Sequence, residues 1–249
     1  MNNNLLPVIL VLYGFFIIAA VIFMIKTETK PQPTTIVLNT PNPSIASKPT
    51  PTRYSKYPLH KSIIATVFWV GEEASEDNDN IPNDVSAWDM DWLENYGGVD
   101  DPNNREGFHP TGFTPKENPF YIALPYTDFT TKRQKANIAL IPWFTSPFPP
   151  KQSVVKNRWV RIASGENECF AQWENAGPNE DDDTGYVFGS AAPKNTFGQK
   201  AGIDISPAVR DCLKVGGVSK VEWQFIDNED VPDGPWKEII TTSGTNWRS

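Results

Sequence analysis

Ala171-Gln-Trp-Glu-Asn-Ala-Gly-Pro178 and, 26 residues after that proline, Asp204-Ile-Ser-Pro-Ala-Val-Arg-Asp-Cys-Leu213 decide how this chain is read. The first stretch reads as a strand that ends in a tight Gly-Pro turn. The second reads as a carboxylate just ahead of a helix, with Ser206 as N-cap and Pro207 at the first helical position, where its missing N–H leaves nothing unsatisfied. The order strand, turn, long loop and helix can bring two acids, Glu174 and Asp204, to one surface.

Outward from this centre the pattern is of short strands parted by turn residues. Candidates cover residues 62–70, 119–125, 136–143, 158–163, 168–173, 186–189, 218–226 and 236–241. Residues 62–70 (SIIATVFWV) are apolar and β-branched, as in a buried first strand. The acidic loop that follows, 71–83, is too polar to pack. Ser86-Ala-Trp-Asp-Met-Asp-Trp-Leu-Glu-Asn-Tyr-Gly-Gly98 then carries helix punctuation, Ser86 as N-cap and Gly97 past the end, with Trp88 and Trp92 on one face. These rings either pack the helix on the sheet or face a ligand. Many short strands with one or two short helices and long loops predict a mainly β chain built on a small barrel.

Lys156-Asn-Arg-Trp-Val-Arg-Ile162, Cys169-Phe-Ala-Gln-Trp-Glu-Asn-Ala-Gly-Pro178, Gly202-Ile-Asp-Ile-Ser-Pro-Ala-Val-Arg210 and the strand over 218–225 together resemble the six-stranded double-psi β-barrel of the rare lipoprotein A, expansin and barwin-like endoglucanase superfamily. Tyr121-Ile-Ala-Leu-Pro-Tyr126 is similar to its Thr-Leu-Pro-Phe segment. The resemblance spans residues 118–226. It implies that Asp204 falls on the acid that donates a proton in lytic and hydrolytic members, and that Glu174 stands where the family usually has Asp in Asp-Arg-Gly-Pro. Asn175 and Ala176 replace the family's basic position. The family's catalytic His has no counterpart, since His109 lies upstream and His60 borders the preceding segment.

Before the barrel, residues 1–4 form a short tail and residues 5–25 an uncharged apolar run. Its 21 residues would span about 31 Å as a helix, a bilayer's hydrocarbon thickness, so a single transmembrane helix is expected. No Lys or Arg precedes the run and no small-x-small site follows, which favours an anchor over a cleaved signal. Residues 26–58 are rich in Pro, Thr and Ser, a stalk that could reach about 100 Å if extended. Lys26 and Lys30 would hold the C-terminal side in the cytoplasm. The stalk composition argues for the opposite, an extracytoplasmic domain over 59–249.

That domain holds 17 basic and 29 acidic residues, a formal charge of −12, so nucleic acid is not an expected partner. Cys169 and Cys212 are either a single disulfide or two buried small hydrophobes. The acidic runs lack the ladder of a calcium loop, and no Walker loop, dinucleotide fingerprint or zinc spacing occurs, so neither metal nor cofactor is expected.

Glycosidic cleavage requires an acid that stays protonated near neutral pH, and hydrolysis with inversion adds a base that activates water. Asp204 is the candidate acid and Glu174 the second carboxylate, with Asp89 and Asp91 in reserve. Trp173, Trp88 and Tyr186 are the candidate rings for stacking on sugar. An Asp two residues before an N-cap also commonly fixes the turn, so Asp204 reads as scaffold or as chemistry. The expected function is action on cell-envelope polysaccharide by a lytic transglycosylase or glycosidase anchored through the N-terminal helix. The alternative is a non-catalytic module, expansin-like in glycan binding or a surface for another protein.

Overall fold

The computed structural model describes residues 56–247 except 79 and 132. The expected transmembrane segment 5–25 and most of the stalk lie outside the described residues. Among the described residues no helix is long and apolar enough to cross a membrane. The expected architecture is therefore corrected to a mainly β chain with a closed six-stranded barrel and a few short helices.

In chain order the elements are β1 (His60–Val67), α1 (Trp92–Tyr96), β2 (Arg105–Glu106), β3 (His109–Pro110), β4 (Tyr121–Leu124), β5 (Phe129–Thr130), β6 (Arg133–Gln134), β7 (Trp159–Ser164), β8 (Asn167–Ala176), α2 (Thr184–Val187), β9 (Ile203–Ile205), α3 (Pro207–Leu213) and β10 (Val218–Phe225). The barrel runs β1-β10-β7-β8-β4-β9 and closes on β1. The β4/β8 and β1/β9 pairs are parallel and the rest antiparallel. β2/β3 and β5/β6 are separate two-residue ribbons in the loops.

Strict alternation fills the interior. Ile122 and Leu124, Val160 and Ile162, Cys169, Ala171 and Trp173, Ile203 and Ile205, and Val221, Trp223 and Phe225 all join one buried cluster. The residues between them are not left in water. Tyr121 and Ala123 pack outside the barrel against Phe68, Val70, Trp92 and Tyr96, and Trp159 and Phe170 pack against Ile226 and Val231. Strands covered on both faces read as nearly continuous apolar runs, which is why β4 and β8 stood out in the sequence.

Two irregularities of register aim side chains. In β1, His60 pairs with Trp223 and Ile63 with Val221, so one extra residue lies between them, and Ser62 has φ 55°. The bulge turns both His60 and Ile63 inward. His60 stacks on Trp223 with ring centroids 4.0 Å apart, and burial lowers its pKa to about 4, keeping it neutral. In β8, Trp173 pairs with Ile122 and Asn175 with Ala123, which leaves Glu174 as the unpaired residue of a second bulge.

Five expected strands correspond to β1, β4, β7, β8 and β10, and α3 starts as expected. The Ser206 hydroxyl accepts from the Val209 N–H, and Lys214 closes the helix in the left-handed region. Three expected strands are something else. Residues 136–140 form a 3-10 turn, in a stretch where Pro142, Pro147, Pro149 and Pro150 cannot donate to a ladder. Residues 186–189 fall at α2, whose N-cap is the Asp183 carboxylate. Residues 235–237 are a 3-10 turn, and beyond them Thr241 is held by the buried Gln172 amide, which accepts from its N–H and donates to its carbonyl, both at 2.9 Å.

The expected helix over 86–96 is reduced to α1. Ser86 Oγ accepts from the N–H groups of Trp88 and Asp89, and Asp89 accepts from that of Asp91, so side chains satisfy this backbone in turns rather than a helix. Gly97 ends α1 in the left-handed region, as expected. Packing begins earlier than residue 59. Tyr57 is buried, its hydroxyl donates to Asp227, and Arg158 donates to that hydroxyl.

Candidate functional site

Asp204 is the middle residue of β9, and parallel pairing sets Thr66 of β1 beside it while antiparallel pairing sets Ala123 of β4 on its other side. Since Ile203 and Ile205 point into the barrel, Asp204 points outward with Thr66. The Thr66 hydroxyl donates to Asp204 Oδ1. The second oxygen, Oδ2, faces the Gly-Pro turn that ends β8. A Cβ placed on Gly177 would lie 3.5 Å from Oδ2 and 4.0 Å from the Ala123 methyl. Gly177 has φ 139°, a conformation that side chains disfavour, and its bare Cα lets the turn lie close against Oδ2. The residue is half-buried, while its carboxyl group is surrounded by protein.

Burial pushes the Asp204 carboxyl up to about 7; the Thr66 hydrogen bond opposes this, and the negative charge of Glu72 adds to it. A carboxylic acid in this setting is partly protonated at neutral pH. Its Oδ1 accepts from the Thr66 hydroxyl, which leaves Oδ2 as the oxygen for the proton that a general acid would give.

Glu72 is the residue that sequence reading missed. It lies in the acidic loop expected to stay in water, yet it is only 7 % exposed. Its Oε2 accepts from Asn83 Nδ2 at 2.9 Å, and the Asn83 N–H donates to the Glu72 carbonyl while the Asn83 carbonyl accepts from the Gly71 N–H, which closes the loop. Burial raises its pKa as well. The signal was faint: a Gly-Glu pair directly after an apolar strand, where Gly71 takes φ 75° to turn the chain back.

Glu174 has a different environment. The β8 bulge directs it to Lys156, whose Nζ lies 2.7 Å from Oε2, and both side chains are almost wholly buried. Lys156 also donates to Asn157 Oδ1 and Ser243 Oγ, and Ser243 donates to Glu117. Burial raises the Glu174 pKa to about 7; Lys156 pulls it down while Glu117 and Asp89 push it up. The charges that act on Glu174 are those of Lys156, Glu117 and Asp89, whereas the one that acts on Asp204 is Glu72. The turn of the opening motif does meet Asp204, but through Gly177; its glutamate belongs to a buried ion pair.

The other expected residues are placed as follows. Trp88, Trp173 and Tyr186 are fully buried, so none presents a ring face to solvent. The Trp88 indole donates to Asp128, that of Trp173 to the Asn175 carbonyl, and Tyr186 accepts from Trp223 Nε1 at 2.7 Å. Asp89 is buried and accepts from Asn95, Asn246 and the Asp91 N–H, while Asp91 accepts from Asn246. His109 sits 3.4 Å from Glu238. Among the described residues no group of three or more His, Cys, Asp or Glu is placed to hold a metal ion.

No protein-family model matches this chain, and no curated protein matches it.

Proposed function

We propose that this chain is a divergent member of the double-psi barrel superfamily that cleaves a cell-envelope polysaccharide outside the cytoplasm, with Asp204 as general acid. The observation that carries the reading is the environment of Asp204: a buried carboxyl group near neutral pKa, one oxygen held by Thr66 and the other beside the partly exposed Gly177 turn. The closed barrel and the order of Gly-Pro turn, Asp-Ile-Ser-Pro segment and closing strand support the superfamily assignment.

In this reading Asp204 Oδ2 protonates the glycosidic oxygen as the bond to the sugar carbon breaks. The Glu72 charge favours the protonated acid before the step, and the Thr66 hydroxyl stabilises the carboxylate left after it. Glu174 is committed to Lys156, which leaves no second carboxylate of the opening motif free to activate water. Attack by a hydroxyl of the substrate itself, as in a lytic transglycosylase, requires none, and the expected product carries a cyclic anhydro end.

The same commitment of Glu174, with neither His60 nor His109 paired to Asp204, favours a second reading, a non-catalytic glycan-binding module. Incubation with peptidoglycan sacculi separates the two. Soluble fragments with anhydro ends, released by the parent and not by Asp204→Asn, are expected. Sedimentation with the sacculi without release would support the module. Absence of both release and sedimentation would refute the proposed substrate class.

A further inference from the structure

Independently of that reading, we propose that Cys169 and Cys212 are a disulfide-forming pair whose closure pins α3 to β8. Both are free thiols, one on each element. Cys169 is fully buried in the barrel core, and Cys212 is partly buried against the same cluster. Two contacts bracket the pair and fix the register of helix on strand. Asn167 Nδ2 donates to the Leu213 carbonyl at 3.0 Å, and Cys212 Sγ lies 3.7 Å from the carbonyl of Glu168, the peptide that leads into Cys169. The two thiols are within hydrogen-bonding reach of each other. A disulfide has strict demands on separation and direction, and its closure brings the two sulfurs to about 2 Å, nearer than the free thiols stand here.

The chain segment that closure would ring off runs from β8 through the Gly177 turn and Asp204 to α3, so Gly177 and Asp204 both lie within it. The two thiols have unequal roles. Cys212 is the half-exposed one and is accessible to an oxidant. Burial pushes the Cys169 thiol up, which leaves it protonated and a poor first nucleophile. With a small-molecule disulfide as oxidant, the Cys212 thiolate attacks one sulfur and expels the other half as a thiolate, giving a mixed disulfide. Cys169 then loses its proton, attacks Cys212 Sγ, and expels the second half. Two protein thiols become one disulfide, and the oxidant is reduced to two thiols.

The test uses the full-length chain, reduced and then exposed to oxidised glutathione at mildly alkaline pH. The expected product has a mass about 2 Da below the reduced chain, resists alkylation after denaturation, and yields a peptide linking residues 169 and 212. Its Tm should rise by several degrees, and dithiothreitol should reverse the rise. Cys212→Ser should melt with the reduced parent and show no response to the oxidant, which separates lost cross-linking from lost folding. A stable glutathione adduct on Cys212, or two thiols that still alkylate after denaturation, would overturn the pairing. A cross-link that leaves Tm unchanged would overturn the pinning.

Discussion

Replacement of Asp204 by Asn should make the protein more stable at neutral and alkaline pH, at the expense of the proposed acid. Asp204 has an ordinary pKa near 3.8 when unfolded and about 7 when folded. Below pH 4 both states hold the proton and the group contributes nothing. Between those values the unfolded state loses its proton first, so stability falls as pH rises, and above 7 the whole penalty is present. The full difference corresponds to about 4 kcal/mol, and the half-buried position of the residue reduces this to roughly 2 kcal/mol. Asn keeps an oxygen for the Thr66 hydroxyl and carries no charge to desolvate. Urea denaturation of parent and Asp204→Asn at a series of pH values measures the difference directly. The variant should gain about 2 kcal/mol at pH 8, the gain shrinking through pH 7 and vanishing by pH 4. A variant equal to or weaker than the parent at pH 8, or a gain that does not change with pH, would refute the reasoning.

Lys156→Met should destabilise by about 3–5 kcal/mol at pH 8, because it leaves the Glu174 charge buried alone, and by less at pH 5, where Glu174 can take a proton; melts at both values check this. His60 binds a proton in the unfolded state near 6.5 and in the folded state near 4, so as pH falls between them it withdraws up to about 3 kcal/mol of stability. His60→Phe, which keeps a ring against Trp223, should flatten the acid limb of the stability curve. Ser206→Ala removes the cap of α3 and also the donor to the buried Pro119 carbonyl at 2.7 Å, so a loss of about 2–3 kcal/mol in chemical denaturation is expected.

Local chemistry made some of this structure legible. The Ser206-Pro207 start of α3 and the Gly97 end of α1 rest on contacts within a few residues, and the alternating β-branched segments announce most of the barrel. Elements fixed by distant partners were not legible. Residues 136–143 and 186–189 are apolar because they lie near or in the core, which periodicity cannot separate from strand in so short a run. Ser86 was expected to cap a helix, but its hydroxyl closes a turn instead, Asp89 diverts the same backbone into a second turn, and α1 begins only at Trp92.

The candidate site divides in the same way. Asp204 could be found because the capped helix α3 follows it directly in sequence. Glu72 could not, because its burial depends on Asn83 and on the β1/β9 pairing that sets Thr66 beside Asp204. For Glu174 the position in a turn motif suggested exposure, and only the β8 bulge reveals that the side chain turns to Lys156. Trp173 is buried because it takes an inward position in the alternation of β8, and Trp88 and Tyr186 join the same core cluster from outside the strands.

The central claim is that Asp204 carries a proton near neutral pH, and the most direct measurement is a carbon-detected NMR titration of its side-chain carboxyl group, assigned by comparison with Asp204→Asn. A midpoint near 7 is expected, shifting down when Glu72→Gln removes the neighbouring charge. A midpoint near 4, the value of a solvated aspartate, would contradict the account.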